Sequence, residues 1–266
     1  MIKDLAALLF RKELARMHQL YNKHSGESCY LFGDGVSLKY FDLRVFSDKK
    51  SIIGGYLPFH KDFSVLDAPY LTLIDPFYFY PLIRTTDEKR KVIRNHIQKK
   101  YRELFKEFPD KYFFVNLSNR PVVYSDNIYF HYRRLYDKRL PPEFISNHFN
   151  CFEGTLRAQI LLAMYMGFEN AYLVGHDYTH FPSRSLHFYE RGEGLKTDLR
   201  LWNNEFFNYA GKFINITTVT LDGESETLPS VTYKSFSGRD PVFKENKEVV
   251  SSEILSLLET WPNYKI

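Results

Sequence analysis

Residues 151–189 read CFEGTLRAQILLAMYMGFENAYLVGHDYTHFPSRSLHFY, and this stretch decides the fold. Leu156, Ile160, Ala163, Met164 and Gly167 recur at helical spacing, with apolar residues on the other faces as well. The spacing predicts a helix covered on nearly all sides, with Thr155 as its N-cap and Gly167 as its stop. After Phe168-Glu169-Asn170, the run Ala171–Val174 predicts a short buried strand. Helix, tight link and buried strand make half of a parallel α/β unit, whose ligands gather at the carboxyl ends of strands. Here that end is Gly175-His176-Asp177-Tyr178.

Ser28–Phe32 predicts a first strand, followed at once by Gly33-Asp34-Gly35-Val36-Ser37-Leu38. A glycine turn that leaves a buried strand and opens a helix lets backbone N–H groups approach a phosphate or a ribose. Ser51–Tyr56, Tyr70–Ile74, Lys111–Leu117 and Thr217–Leu221 read as further strands, with Val122–Tyr124 as an edge strand beyond Pro121. Helices are expected over residues 2–22 (amphipathic), Thr86–Phe108, Lys196–Phe213 and Val249–Thr260. The stretches 125–150 and 223–241 read as irregular. Strands alternating with helices predict an α/β, doubly wound, mostly parallel sheet. We expect one domain over 1–266, with a small lid over residues 178–195.

Composition sets the outer limits. At 266 residues, 44% hydrophobic and 26% charged, the chain reads as a soluble globular protein. The aromatic share of 17% is high, and most of those rings are expected to fill the core. A net charge of +4, with no dense basic block beyond 88–102, gives no reason to expect a nucleic-acid partner. Cys29 and Cys151 lie far apart, so neither a disulfide framework nor a cysteine-rich metal site is indicated. No apolar run approaches the ~20 residues of a membrane span, and no signal peptide is evident. The expected location is cytoplasmic, with a peripheral membrane contact open to the N-terminal helix. The oligomeric state stays open.

Several chemistries lack their motifs. There is no Asp-x-Asp, HExxH, GxxxxGK[ST] or GxSxG. His176, His180 and His187 cluster in sequence around Asp177, but adjacent side chains diverge at a strand end, so no metal site is expected.

GDGVSL at 33–38 and FEGTLRAQILLAMYMGFENAYLVGHDY at 152–178 resemble the two signature regions of the bacterial CMP-sugar-dependent sialyltransferases of the Campylobacter type. These belong to a wider Rossmann-like group of nonulosonate and Kdo glycosyltransferases, in which the first motif usually reads GNGPSL or GAGPSL. The second usually has a TSG-like turn, an apolar helix, a strand and a G-x-D triplet. Gly33, Gly35, Ser37, Leu38, Gly154, Gly167, Gly175 and Asp177 match.

The resemblance implies a GT-A-like variant of the Rossmann-like sheet. It also implies transfer of an acidic 2-keto sugar (sialic acid, Kdo or a related nonulosonate) from a CMP donor to a glycan acceptor, without a cofactor. One donor phosphate rather than two suits the missing Asp-x-Asp. The family's lid histidine is carried over to His187 as general base, since an imidazole, with an unperturbed pKa of ~6.5, can accept a hydroxyl proton at neutral pH. Gly33, Asp34, Gly35, Ser37, Gly154, Thr155, Tyr178 and Tyr189 are carried over as substrate-binding residues.

Two departures from the pattern matter. Asp34 replaces Asn or Ala, and Glu153 replaces the serine of the TSG-like turn. Glu153 and Asp177 would together place two carboxylates at the rim, as a retaining displacement requires. The plainer alternative for both is backbone capping at a helix terminus. Inversion and retention therefore both stay open. Three other functions do too: a pterin diphosphokinase-like enzyme of the same superfamily, a non-catalytic nucleotide-binding module, and a methyltransferase resting on the GDG turn alone.

Overall fold

The computed structural model describes residues 8–81, 87–132, 154–179, 181–197 and 204–259. Strands β1 (Ser28–Phe32), β2 (Lys50–Gly54), β3 (Tyr70–Leu73), β4 (Tyr112–Asn116), β5 (Ile128–His131) and β6 (Asn170–Val174) follow the chain in order. Two short strands, β7 (Ser183–Arg184) and β8 (Lys196–Thr197), pair antiparallel, and β9 (Asn215–Thr220) and β10 (Ser230–Thr232) complete the main sheet. That sheet has eight strands in the order β10-β9-β6-β1-β2-β3-β4-β5, every pair parallel. From β1 the chain steps one way to β5, then returns to lay β6 on the other side of β1. The strand order reverses between β1 and β6, where a doubly wound sheet opens a crevice at its carboxyl edge.

Helices α1 (Arg11–Ala15), α2 (Glu88–Glu107) and α3 (Thr155–Met166) precede β6, and α4 (Asn204–Ala210) follows it. The pleat sends Tyr30 and Phe32 of β1 into one core with Ile93, Ile97 and Tyr101 of α2. It sends Cys29 and Leu31 into the other, with Ile160, Leu161 and Ala163 of α3. Both faces are covered, so the strands read as unbroken apolar runs rather than alternating ones. In α3, Thr155 is the first helical residue and Gly154 the cap, while Gly167 ends the helix in the left-handed conformation at φ 85°.

Several expectations fail at the periphery. Residues 122–124 form no strand, the N–H groups of Val122 and Val123 both going to Asn119 O; the edge strand is β5, in the stretch read as irregular. Lys196 and Thr197 are strand rather than helix, because Ser183 and Arg184 offer them a partner. The stretch read as a loop after 223 holds β10 and a short helix, Tyr233–Ser237. The closing helix is divided at Val250-Ser251, where the Ser251 side chain caps a second start. At the N-terminus, α1 passes into a 3-10 turn, Arg16–Leu20, that buries Met17 and Leu20 and leaves Leu9 exposed. Among the described residues, no helix is long and apolar enough to cross a membrane.

Candidate active site

The crevice between β1 and β6 is a cavity of about 310 Å³, walled by the turn after β1, the turn after β6, the start of α3 and His187. The two turns are joined to each other. Gly33 N donates to Val174 O (2.9 Å), and Gly35 N donates to Gly175 O (2.7 Å). This approach explains the glycines: a Cβ on Gly33 would lie 2.5 Å from Gly175 O, and one on Gly35 2.6 Å from it. A Cβ on Gly35 would also overlap the Asp177 carboxylate.

Both carboxylates of this region face backbone. Asp177 is buried, and its Oδ2 accepts from Ser37 N at 2.7 Å, holding the start of the 3-10 turn Val36–Lys39. Its geometry is that of a cap, the plainer of the two sequence alternatives. Asp34 accepts from Tyr56 N with both oxygens at 3.0 Å, so it secures the turn after β2. Burial pushes its pKa up to about 6, against the Tyr56 N–H and the nearby His187, which favour the anion. Ser37 is fully buried, its hydroxyl makes no hydrogen bond among the described residues, and it is absent from the cavity wall.

His187 reaches the wall because the strap carrying it is fastened to the first turn. His187 and Gly35 form an isolated antiparallel bridge, and Phe188 N donates to Asp34 O at 3.0 Å. The buried Lys39 ammonium donates to Glu190 O (2.9 Å) and Gly192 O (2.6 Å), and Tyr40 OH donates to Glu193 O (2.9 Å). Within the strap, Glu190 N turns back onto His187 O, which brings the two side chains together. Glu190 Oε2 accepts from His187 N at 2.6 Å and from His187 Nδ1–H at 2.8 Å. A neutral imidazole held this way carries its lone pair on Nε2, the nitrogen a general base uses. The ring lies parallel to that of Tyr189 (centroids 5.0 Å apart, 4° between planes) and 5.4 Å from that of Tyr178. Tyr178 shares the cavity wall; Tyr189 is buried beneath the imidazole as its platform.

A second imidazole lies deeper. Gln159, buried on α3, donates from Nε2 to Phe32 O (2.7 Å), so its Oε1 accepts from His176 Nε2–H (2.9 Å). The same cavity is also walled by the first turn of α3: Gly154, Thr155, Leu156 and Arg157. The N–H groups of a helix's first turn have no intrahelical partner, and with the positive end of this twelve-residue helix they favour an anion there.

Of the residues expected from sequence, Gly33, Asp34, Gly35, Gly154, Thr155, Tyr178 and His187 line one cavity. Asp177 and Tyr189 support it from behind, Ser37 is turned away, and Glu153 lies outside the described residues. Sequence reasoning missed Glu190 and Arg157. An H-x-x-E in a turn-rich loop was a signal for the first. An arginine against the dipole in the opening turn of a helix was a signal for the second.

No protein-family model matches the chain, and no curated protein is significantly similar to it in sequence. Among solved structures, the sialyltransferase CstII from Campylobacter jejuni, in complex with a substrate analogue, cytidine-5′-monophosphate, is similar to this chain. The match covers 89% of this chain and 98% of that one, at 12% identity and a TM-score of 0.37.

Proposed function

We propose that this chain is a glycosyltransferase that moves an acidic 2-keto sugar (sialic acid, Kdo or a related nonulosonate) from a CMP donor to a glycan acceptor, with His187 as general base. The observation that carries this reading is the placement of a carboxylate-oriented imidazole in the wall of one cavity with an anion-favouring helix start. The choice of CMP over other nucleotides rests on the motif resemblance. No metal is assigned a role, because a single phosphate can be held by the α3 N–H groups and Arg157, and the chain lacks Asp-x-Asp.

In this reading the acceptor hydroxyl gives its proton to His187 Nε2 while its oxygen attacks the anomeric carbon. The bond from that carbon to the phosphate oxygen breaks, and CMP leaves with the electron pair. Glu190 stabilises the imidazolium that forms, and the α3 start stabilises the phosphate charge. Because Asp177 caps Ser37 N, the path we favour is a single inverting displacement. The product would belong to a surface polysaccharide or lipooligosaccharide made on the cytoplasmic side of the inner membrane.

Thermal melts with CMP, CDP, ADP and S-adenosylmethionine, without magnesium, test the donor. Ligand at 100 times its Kd stabilises by about 2.7 kcal/mol, a rise of several degrees for a chain of this size. CMP or CDP should produce that rise. A larger shift with ADP or S-adenosylmethionine would move the function to another nucleotide-dependent enzyme. Trapped covalent sugar would favour the retaining path through Asp177 or Glu153.

A further inference from the structure

A second cavity, of about 450 Å³, opens at the carboxyl end of β3, beneath the first turns of α2. Asp75, Tyr56, Tyr78, Arg90 and Arg94 supply its polar wall, and Ile93 and Ile97 its floor. We propose that this cavity is the acceptor subsite and that it takes an anionic sugar residue, one bearing a carboxylate or a phosphate. The proposal rests on the transfer reading above and deepens it.

Position is the first reason. Tyr56 belongs to this cavity, and its ring lies 5.0 Å from that of Tyr189, which in turn stacks at 5.0 Å on His187. One tyrosine therefore separates the wall of the second cavity from the candidate base. Both cavities open at the same edge of the sheet, so a glycan held in the second can present a hydroxyl to the first.

The wall chemistry is the second reason. Sugars are held by aromatic faces, by a carboxylate that accepts from hydroxyls and by arginines that donate in pairs. All three are present, and two guanidinium groups against one carboxylate leave a net positive wall suited to an acidic sugar. Arg94 is already locked, donating to Phe77 O (2.8 Å) and Tyr78 O (2.9 Å) with its guanidinium over the Tyr78 ring, so the wall is built before any ligand arrives. Arg90 and Asp75 are exposed.

A third reason is Phe77, between the lining residues Pro76 and Tyr78. Its backbone is held at φ 55°, a strained value for an aromatic residue, and its side chain is 59% exposed. Ser118 Oγ accepts from Phe77 N (2.8 Å) and Arg94 donates to Phe77 O, and these bonds fix the backbone between the two lining residues.

The test is saturation-transfer NMR on the full chain with 3′-sialyllactose, mannose 6-phosphate and lactose as probes. At least one anionic probe should give a signal that lactose does not, and Arg90→Ala and Arg90→Glu should each weaken it at least tenfold. Melting curves of the same variants check that they fold. Equal signals from lactose and both anionic probes, or unchanged binding in both variants, would overturn the proposal. So would a chain that ignores all three sugars but sediments with phosphatidylglycerol vesicles through Phe77, since the rim would then be a membrane contact. Titrating wild-type chain with CMP separates the two readings: sugar binding without CMP binding breaks the donor assignment alone, and the reverse breaks the acceptor assignment alone.

Discussion

The turn after β1 and the segment after β6 meet at one crevice, yet they contribute opposite things. From 33 to 38, the side chains face away from the crevice or bind backbone: Asp34 holds Tyr56 N and Ser37 is sealed inside. What this turn offers is bare backbone, brought within 3 Å of the neighbouring turn by two glycines. The 175–190 segment offers side chains: His176, Tyr178 and His187 all face the crevice. The first turn sets the shape and the second carries the chemistry. Damage to one should therefore appear as lost stability, and damage to the other as lost rate.

His187→Ala should produce the largest effect. A positioned base contributes on the order of 10²–10⁴-fold, so kcat should fall by that factor while CMP affinity and Tm stay within error. If Tm collapses instead, the imidazole is a structural pin of the strap. Gly35→Ala is the converse experiment. Its Cβ would meet Gly175 O and Asp177, and no side-chain rotation relieves a clash with backbone. A loss of roughly 3 kcal/mol or more is expected, about 6–12 °C in Tm for a chain of this size. A fully stable Gly35→Ala protein would mean that the two turns do not touch as described.

Glu190→Gln tests whether the carboxylate tunes the base or only holds the strap. Glutamine can still accept from both N–H groups of His187, but it cannot stabilise an imidazolium. We expect a 10- to 10³-fold drop in kcat with an unchanged KM for donor. A variant with wild-type kcat would reduce Glu190 to a turn-former.

The centre of the fold was legible in the sequence because it is buried on both faces. β1, β6 and α3 are apolar runs bounded by glycines, and their predicted limits agree with the structure to within a residue. The edges were not. Ile128–His131 is buried throughout and shows no period-two pattern, so it looked like irregular aromatic chain. Val122-Val123, next to a proline, looked more like an edge strand than it does. The candidate site divides the same way. Glycine turns and the histidine announce themselves by type, whereas Lys39 gives no sign in sequence that it is buried and fastens the strap to two carbonyls. The direction of a carboxylate cannot be read at all. For Asp177 the sequence left a rim acid and a backbone cap both open, and for Asp34 it suggested a ligand contact; the fold shows that each answers a backbone N–H.

Asp34 gives the smallest effect and the sharpest test of that direction. Burial raises its pKa to about 6 from an ordinary 3.8, so between those values the folded chain binds more protons than the unfolded one. Stability from this group is therefore fullest below about pH 4 and falls as pH rises through 6, by an upper limit of roughly 3 kcal/mol. His60 and His131, lowered by burial to about 4 and about 3, act in the opposite sense: stability rises with pH until it passes ~6.5. The wild-type profile sums these contributions, and Asp34→Asn removes only the first while keeping an oxygen for Tyr56 N. Subtracting the two urea-unfolding profiles should thus give a difference that grows in favour of the variant from pH 4.5 to 6.5 and is level above pH 7. Parallel profiles would mean that the Asp34 carboxylate is solvated and faces the crevice. The turn after β1 would then contribute a charged side chain to ligand binding, and its contrast with the segment after β6 would fail.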